Sequence, residues 1–272
     1  MSGRRLADIV FLTDFGASDW YVAAMKGVAR GIAPAAGLID LTHDVAPGDV
    51  AQADFVLAQA APYFPEGTVF CVVVDPSVGT SRRALACGDG KRFYVAPDNG
   101  VLSSVARLAG GQWRCHEAAN PAWRLPNPSP TFHGRDVFAP VAAWLTREPD
   151  LARCGPEAPD PVTLPEPSPE RTGPRNWRGR VLYIDRFGNA LTSLRRDRPP
   201  FDSLAGGAED VVIELAGARI IGIKATFADA PRGEALVYWG SSGYLEIGVN
   251  RGDAAARYGL RAGDTVEVSL PV

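Results

Sequence analysis

Prolines crowd one stretch of this chain. Pro149, Pro156, Pro159, Pro161, Pro165, Pro167, Pro169 and Pro174 all fall between Glu148 and Arg175, where apolar residues show little periodicity. Each proline removes a backbone donor and fixes φ, so such a run supports neither a helix nor a central strand and reads as an extended linker. The 272 residues are therefore expected to form two parts, residues 1–150 and 177–272, joined by a linker over 151–176.

The first part alternates strand and helix patterns. Ile9, Val10, Phe11 and Leu12 form a short buried-strand run; the polar turn Thr13, Asp14, Phe15, Gly16 follows; then Tyr21, Met25 and Val28 recur on one helical face. The same grammar returns in a strand over 37–41, a loop over 44–49, an alanine-rich helix to about residue 63, and a turn at Phe64, Pro65, Glu66 and Gly67. Residues 69–74 form the clearest strand, apolar on both faces as a central parallel strand covered by helices would be. It ends at Asp75, Pro76, Ser77, Val78 and Gly79, and a helix over 137–146 closes this half. The expected fold class is α/β, a Rossmann-like domain with a largely parallel central sheet. In such sheets the loops beyond the carboxyl ends of the strands build the ligand crevice, which puts Asp14 and Asp75 where chemistry is usually found.

Beyond the prolines the pattern changes to short strands at 179–184, 211–215, 235–239, 244–249 and 265–270, separated by turns containing Gly and Asp. No helical run of useful length is visible, so a smaller antiparallel sheet or barrel is expected. With 46% hydrophobic residues, both parts have enough apolar material for a core.

Charge and leader signals exclude several classes. A net charge of −3 without a one-sided Lys/Arg cluster gives no phosphate-tracking face, so nucleic acid is not an expected partner. Arg4 and Arg5 run into only four apolar residues, too few for a signal-peptide core or a membrane span, and a soluble cytoplasmic protein is expected. Cys71, Cys87, Cys115 and Cys154 lack pairing or metal-ligand spacing and are read as reduced thiols, consistent with cytosol.

The residues that could carry chemistry in the first part are Asp14, Asp19, Asp75, Arg82, Asp98, His133, Arg135 and Asp136; the second offers Asp185 with Asn189, and Ser241. Most have a plain structural alternative. Asp14 has two oxygens able to accept both hydroxyls of a ribose diol, or it caps the next helix. Asp75 before Pro76 can simply start a turn, and His133 can be a loop histidine bonded to Asp136. A metal set of Asp14, Asp75 and His133 is weakly supported, because no close ligand pairing accompanies it.

Taken together and in order, four segments of the first part and two of the second resemble one family. They are Thr13-Asp14-Phe15-Gly16, Phe64-Pro65-Glu66-Gly67-Thr68-Val69, Asp75-Pro76-Ser77-Val78-Gly79-Thr80 with Arg82-Arg83, and Thr131-Phe132-His133-Gly134-Arg135-Asp136, then Asp185-Arg186-Phe187-Gly188-Asn189 and Ser241-Ser242-Gly243-Tyr244-Leu245-Glu246-Ile247. The chain is similar to the S-adenosyl-L-methionine (SAM) hydrolases, or SAM hydroxide adenosyltransferases, relatives of fluorinase and chlorinase. The resemblance implies a nucleoside-binding α/β domain, a C-terminal antiparallel β-barrel-like domain, and a homotrimer with substrate between neighbouring subunits. It further implies that Asp14 grips the ribose hydroxyls, that Asp19, Asp185 and Ser241 hold the methionine amino and carboxylate ends, and that Asn189 lies at the adenine and ribose. Phe132 and Phe227 would pack on the nucleoside, with Asn250 close to adenine. Gly240 departs from the family pattern, which often has Asn before the Ser.

The halide-using relatives carry an uncharged side chain where this chain has Asp75, and lack the accompanying Arg and His. A carboxylate beside the nucleophile repels a halide and orients a water, so hydrolysis to adenosine and L-methionine by a catalytic set of Asp75, Arg82 and His133 is the expected activity, with no metal and no cofactor. The alternatives are a halide-dependent adenosyltransferase, a SAM- or adenosine-binding module without turnover, and a metal-dependent hydrolase.

Overall fold

The computed structural model describes residues 7–202 and 208–271, so the basic N-terminal pair Arg4 and Arg5 lies outside the described residues. The chain divides into two compact units, Met1–Pro165 and Glu166–Val272.

The first unit runs β1 (Ile9–Thr13), α1 (Tyr21–Ile32), β2 (Leu38–Thr42), α2 (Val50–Ala60), β3 (Val69–Val73), β4 (Ala84–Gly88), β5 (Phe93–Pro97), α3 (Ser103–Ala109), β6 (Arg114–Glu117) and α4 (Ala139–Arg147). Its sheet has the order β2-β1-β3-β5-β4-β6. The pairs of β1 with β2, β1 with β3 and β3 with β5 are parallel; β4 is antiparallel to β5 and to β6. The unbroken apolar runs follow from this burial. Strand side chains alternate between faces, so Ile9 and Phe11 join Met25, Ala29 and the α4 residues in one core, while Val10 and Leu12 join Ala53, Leu57 and Val105 in the other. Every residue of β3 is buried, and a fully buried aliphatic side chain contributes about 1.5–3 kcal/mol.

The helix expected over 137–146 begins differently. Residues Gly134–Phe138 form one wide π-helical turn before α4 starts at Ala139. Pro140 has no N–H to give the carbonyl four residues back, and that Asp136 carbonyl accepts from the Leu125 N–H instead, at 2.9 Å.

The reading of four reduced cysteines is corrected. Cys87 and Cys115 are joined by a disulfide, while Cys71 and Cys154 are free and buried. The two partners lie 28 residues apart, and only the antiparallel register of β4 on β6, which sets Cys87 opposite Cys115, brings them together. Sequence spacing carries no trace of that register.

Part of the proline-rich stretch packs on the first unit. Its non-proline residues supply the bonds: Asp160 accepts from the Arg83 guanidinium at 2.8 Å, the Val162 N–H donates to Asp98, and the Leu164 N–H donates to the Ser103 hydroxyl.

The second unit comprises β7 (Glu170–Arg171), β8 (Asn176–Ile184), β9 (Ala190–Arg195), β10 (Val212–Leu215), β11 (Ala218–Ile221), β12 (Ile223–Lys224), β13 (Ala235–Trp239), β14 (Tyr244–Val249), the short helix α5 (Ala254–Tyr258) and β15 (Thr265–Ser269). The strand order is β11-β10-β15-β8-β9-β14-β13-β12, with β7 on β8. All pairs are antiparallel except β12 with β13. β11 and β12 stand at opposite ends of this order yet are consecutive in the chain, joined through Gly222, so the sheet curls into a nearly closed barrel. The bend needs glycine. Its φ is +80°, and a Cβ there would lie 2.9 Å from the Glu209 carbonyl oxygen. Among the described residues no helix is long and apolar enough to cross a membrane.

Candidate active site

β1 and β3 are adjacent parallel strands with Thr13 opposite Val73, so Asp14 and Asp75 leave the sheet at the same carboxyl edge. Asp14 does not cap α1, which begins at Tyr21 without a side-chain cap. Its Oδ2 accepts the Gly48 N–H at 2.8 Å and ties the loop after β1 to the loop before α2.

Asp75 does more than start a turn. Arg82 approaches it side-on, with Nε 3.0 Å from Oδ2 and 3.1 Å from Oδ1, and an outer guanidinium nitrogen also donates to Oδ2. The two side chains are 5% and 8% exposed. Ser77 adds a hydroxyl bond to Oδ1 at 3.2 Å. The same Arg82 nitrogen donates to His133 Nδ1 at 2.7 Å, and the guanidinium stacks over the Phe138 ring at 5.2 Å. Asp75, Arg82 and His133 thus form one continuous, desolvated hydrogen-bonded set.

Residues 51 apart meet here because two loops are pressed together. Gly79, at φ +82°, lies so close to the 129–131 loop that a Cβ would stand 2.7 Å from the Pro130 carbonyl oxygen. Asp136, the plain structural partner for His133, is taken instead by Arg135, whose Nε is 2.6 Å from Oδ1, and by the Ser129 N–H. Arg83 and Asp98 pair with each other and are structural.

An arginine always donates, so Nδ1 of His133 is the acceptor and its proton sits on Nε2. Burial lowers the His133 pKa, and the neighbouring Arg82 charge lowers it further. The ring is therefore expected to titrate below its ordinary 6.5, staying neutral as pH falls through that value. Imidazole proton shifts followed by NMR against pH test this; a midpoint at or above 6.5 would mean that burial and the Arg82 charge do not hold the ring neutral.

Trp20 and Arg124, which stand beside residues expected at this site, were not picked out in the sequence. Phe132 is buried within an aromatic group: Trp20 and Tyr21 meet it edge-on at 5.6 and 5.2 Å, and Phe15 at 6.1 Å. Trp20 remains 58% exposed and stacks on Tyr21, next to the exposed Asp19. Arg124 is a second cation near Arg82; burial lowers its pKa, as does the Arg82 charge. The only sequence cue to Trp20 was its position in the loop after a buried strand.

In the second unit, Asp185 builds a tight turn, accepting the Phe187 and Asn189 N–H groups on Oδ1 and the Asn189 amide on Oδ2 at 2.9 Å. Buried Asn189 and the Phe227 ring both press on Gly248, where a Cβ would stand 2.8 and 3.0 Å from them. With Phe187, Val249 and Arg251 they line a concave site. Asn250 instead donates its amide to the Ala230 carbonyl, bracing the turn after Phe227. Ser241 is exposed at the turn between β13 and β14. Among the described residues no group of three or more His, Cys, Asp or Glu is placed to hold a metal ion.

Comparison with known proteins gives a consistent picture. Residues 9–155 match the SAM hydroxide adenosyltransferase N-terminal domain, and residues 179–267 match the C-terminal domain of the same family. The chain is 41% identical over 269 residues to an (R)-S-adenosyl-L-methionine hydrolase from Thermus thermophilus, covering 96% of this chain and 98% of that one. It is 43% identical over 266 residues to a protein of the same name from Salinispora arenicola, with 96% and 97% covered. It is 30% identical over 299 residues to a fluorinase from Nocardia brasiliensis, with 99% and 98% covered. A crystal structure of an uncharacterized conserved protein from Thermotoga maritima superposes with a TM-score of 0.88 at 39% identity, covering 96% and 99%.

Proposed function

Since this chain belongs to the SAM hydroxide adenosyltransferase family, we propose that it hydrolyses S-adenosyl-L-methionine to adenosine and L-methionine through Asp75, Arg82 and His133. The observation that carries this reading is the buried Asp75–Arg82–His133 set at the carboxyl edge of β1 and β3.

The sulfonium is a good leaving group, so the protein need not protonate it. Its task is to hold a water oxygen in line with the bond from C5′ to sulfur and to keep bulk solvent away. Asp75 accepts a proton of that water and directs its lone pair at C5′. The oxygen–C5′ bond forms as the C5′–sulfur pair leaves with methionine, and the surplus proton passes through Asp75 to solvent. Arg82 fixes the carboxylate and favours hydroxide character in the nucleophile, while neutral His133 presents its Nε2–H and balances protons in the set. The carboxylate also disfavours a halide at the same place.

Asp14 is assigned to the ribose hydroxyls, Asp19, Asp185 and Ser241 to the amino-acid end, and Asn189, Phe132, Phe227 and Asn250 to the nucleoside. No metal or cofactor takes part. A homotrimer with the active site at the subunit interface is proposed on the family resemblance, and the cytoplasm is the proposed location.

Incubation with SAM in ¹⁸O-water, with a chelator and with or without chloride, tests the reading. Adenosine labelled at the 5′ oxygen is expected in every condition. Label in methionine, 5′-chloro-5′-deoxyadenosine as the product, or loss of turnover on chelation would overturn it.

A further inference from the structure

Side chains on β13 and β14 alternate between the inside and the outside of the barrel. Val237, Leu245 and Ile247 enter its core, while Leu236 and Tyr238 pack with Phe227 on the outer face. Glu246 belongs to that outer face, directly opposite Tyr238, whose hydroxyl donates to Oε2 at 2.7 Å. Its other oxygen lies against the Cα of Gly240, where a Cβ would stand only 1.7 Å from Oε1. Glycine at 240 and a carboxylate at 246 are therefore fitted to each other.

Gly240 opens the turn that carries Ser241. The turn is closed by the Gly240 N–H on the Tyr244 carbonyl and by the Gly243 N–H on the Gly240 carbonyl, both at 2.9 Å, and Gly243 takes φ +80°. Burial pushes the Glu246 carboxyl up, and the Asp185 charge pushes the same way against the Tyr238 bond. A half-buried carboxylate facing another is a poor way to stabilise a barrel; an apolar side chain of similar volume would cost less.

We propose that Glu246 is a positioning residue for the amino-acid end of the substrate, bracing the 240–243 turn so that Ser241 is presented in one orientation. The proposal rests on the reading of Ser241 as a contact to the methionine half. Its consequence is a KM effect that passes through Ser241.

The test is a kinetic cycle of Glu246→Ala, Ser241→Ala and the double variant, with SAM as substrate and thermal unfolding as the fold control. Glu246→Ala is expected to raise KM about tenfold, the worth of one good hydrogen bond, with kcat within about twofold. Glu246→Gln, which can still accept the Tyr238 hydroxyl, restores most of the lost affinity. In the Ser241→Ala background the same Glu246 change adds less than about twofold, because its route is already removed. Gly240→Ala, which drives a methyl into the Glu246 oxygen, reproduces the KM rise and serves where Glu246→Ala does not fold. An unchanged KM, or a KM rise just as large in the Ser241→Ala background, overturns the proposal while leaving Ser241 in place. An unchanged KM in Ser241→Ala alone overturns the underlying reading of Ser241.

Discussion

Replacing Arg82 by alanine is expected to lower kcat for SAM hydrolysis by ~10²–10⁴, with KM moved less than about tenfold. Arg82 is the hub of the set, since one guanidinium touches both the Asp75 carboxylate and His133 Nδ1. Its loss frees both partners at once. His133→Ala removes one arm of the same hub and is expected to fall in the same range. Lysine at 82 retains the charge but cannot make the side-on contact to both carboxylate oxygens, so it should recover only part of the rate. Single-turnover release of adenosine measures the chemical step, and calorimetric titration with SAM measures binding. Near-wild-type turnover in both alanine variants with binding intact would remove the catalytic assignment.

How much of this was legible in the sequence depends on whether the determinant is local. The β1 and β3 runs were readable because a strand buried on both faces has no polar register to confuse it. β13 and β14 were readable because Gly-containing turns bracket their alternation. The β4–β5 hairpin and β6 were not. Ala84 to Gly88 consists mostly of small residues whose burial comes from their neighbours, and nothing local marks them as strand. The Cys87–Cys115 pair failed for a related reason, since strand register decides it.

The candidate site shows the same division. Asp14, Asp75 and His133 stood out by loop position, but the plain alternatives for Asp14 and His133 could be set aside only once the partners were seen. Asp136 goes to Arg135, and Asp14 to the Gly48 amide. Whether Arg82 or Arg83 turns into the site is equally a matter of tertiary contact: Arg83 is taken by Asp98 and Asp160. Glu246 lay within a recognised segment, yet its fit to Gly240 exists only when β13 and β14 are paired.

Asp75→Ala is expected to damage stability and rate together, and the two losses can be separated. The carboxylate and the Arg82 guanidinium are 5% and 8% exposed, so removing the carboxylate leaves a buried cation whose remaining neighbours, His133, the Arg83 carbonyl and the Phe138 ring, carry no compensating charge. Breaking such a pair costs about 3–5 kcal/mol. For a unit of this size that corresponds to a Tm drop of about 6–20 °C, readable by calorimetry. The rate should fall ~10²–10⁴ as well, because the water loses its acceptor. Replacing both members by apolar residues of similar volume, Asp75→Leu with Arg82→Met, removes the stranded charge and is expected to return most of the Tm, since buried ion pairs are often no more stabilising than well-packed hydrophobes. Turnover should not return with it. Recovery of both in the double variant would make the pair a structural element and take catalysis away from it; recovery of Tm alone would mean that the fold tolerates the pair's desolvation for the sake of the chemistry.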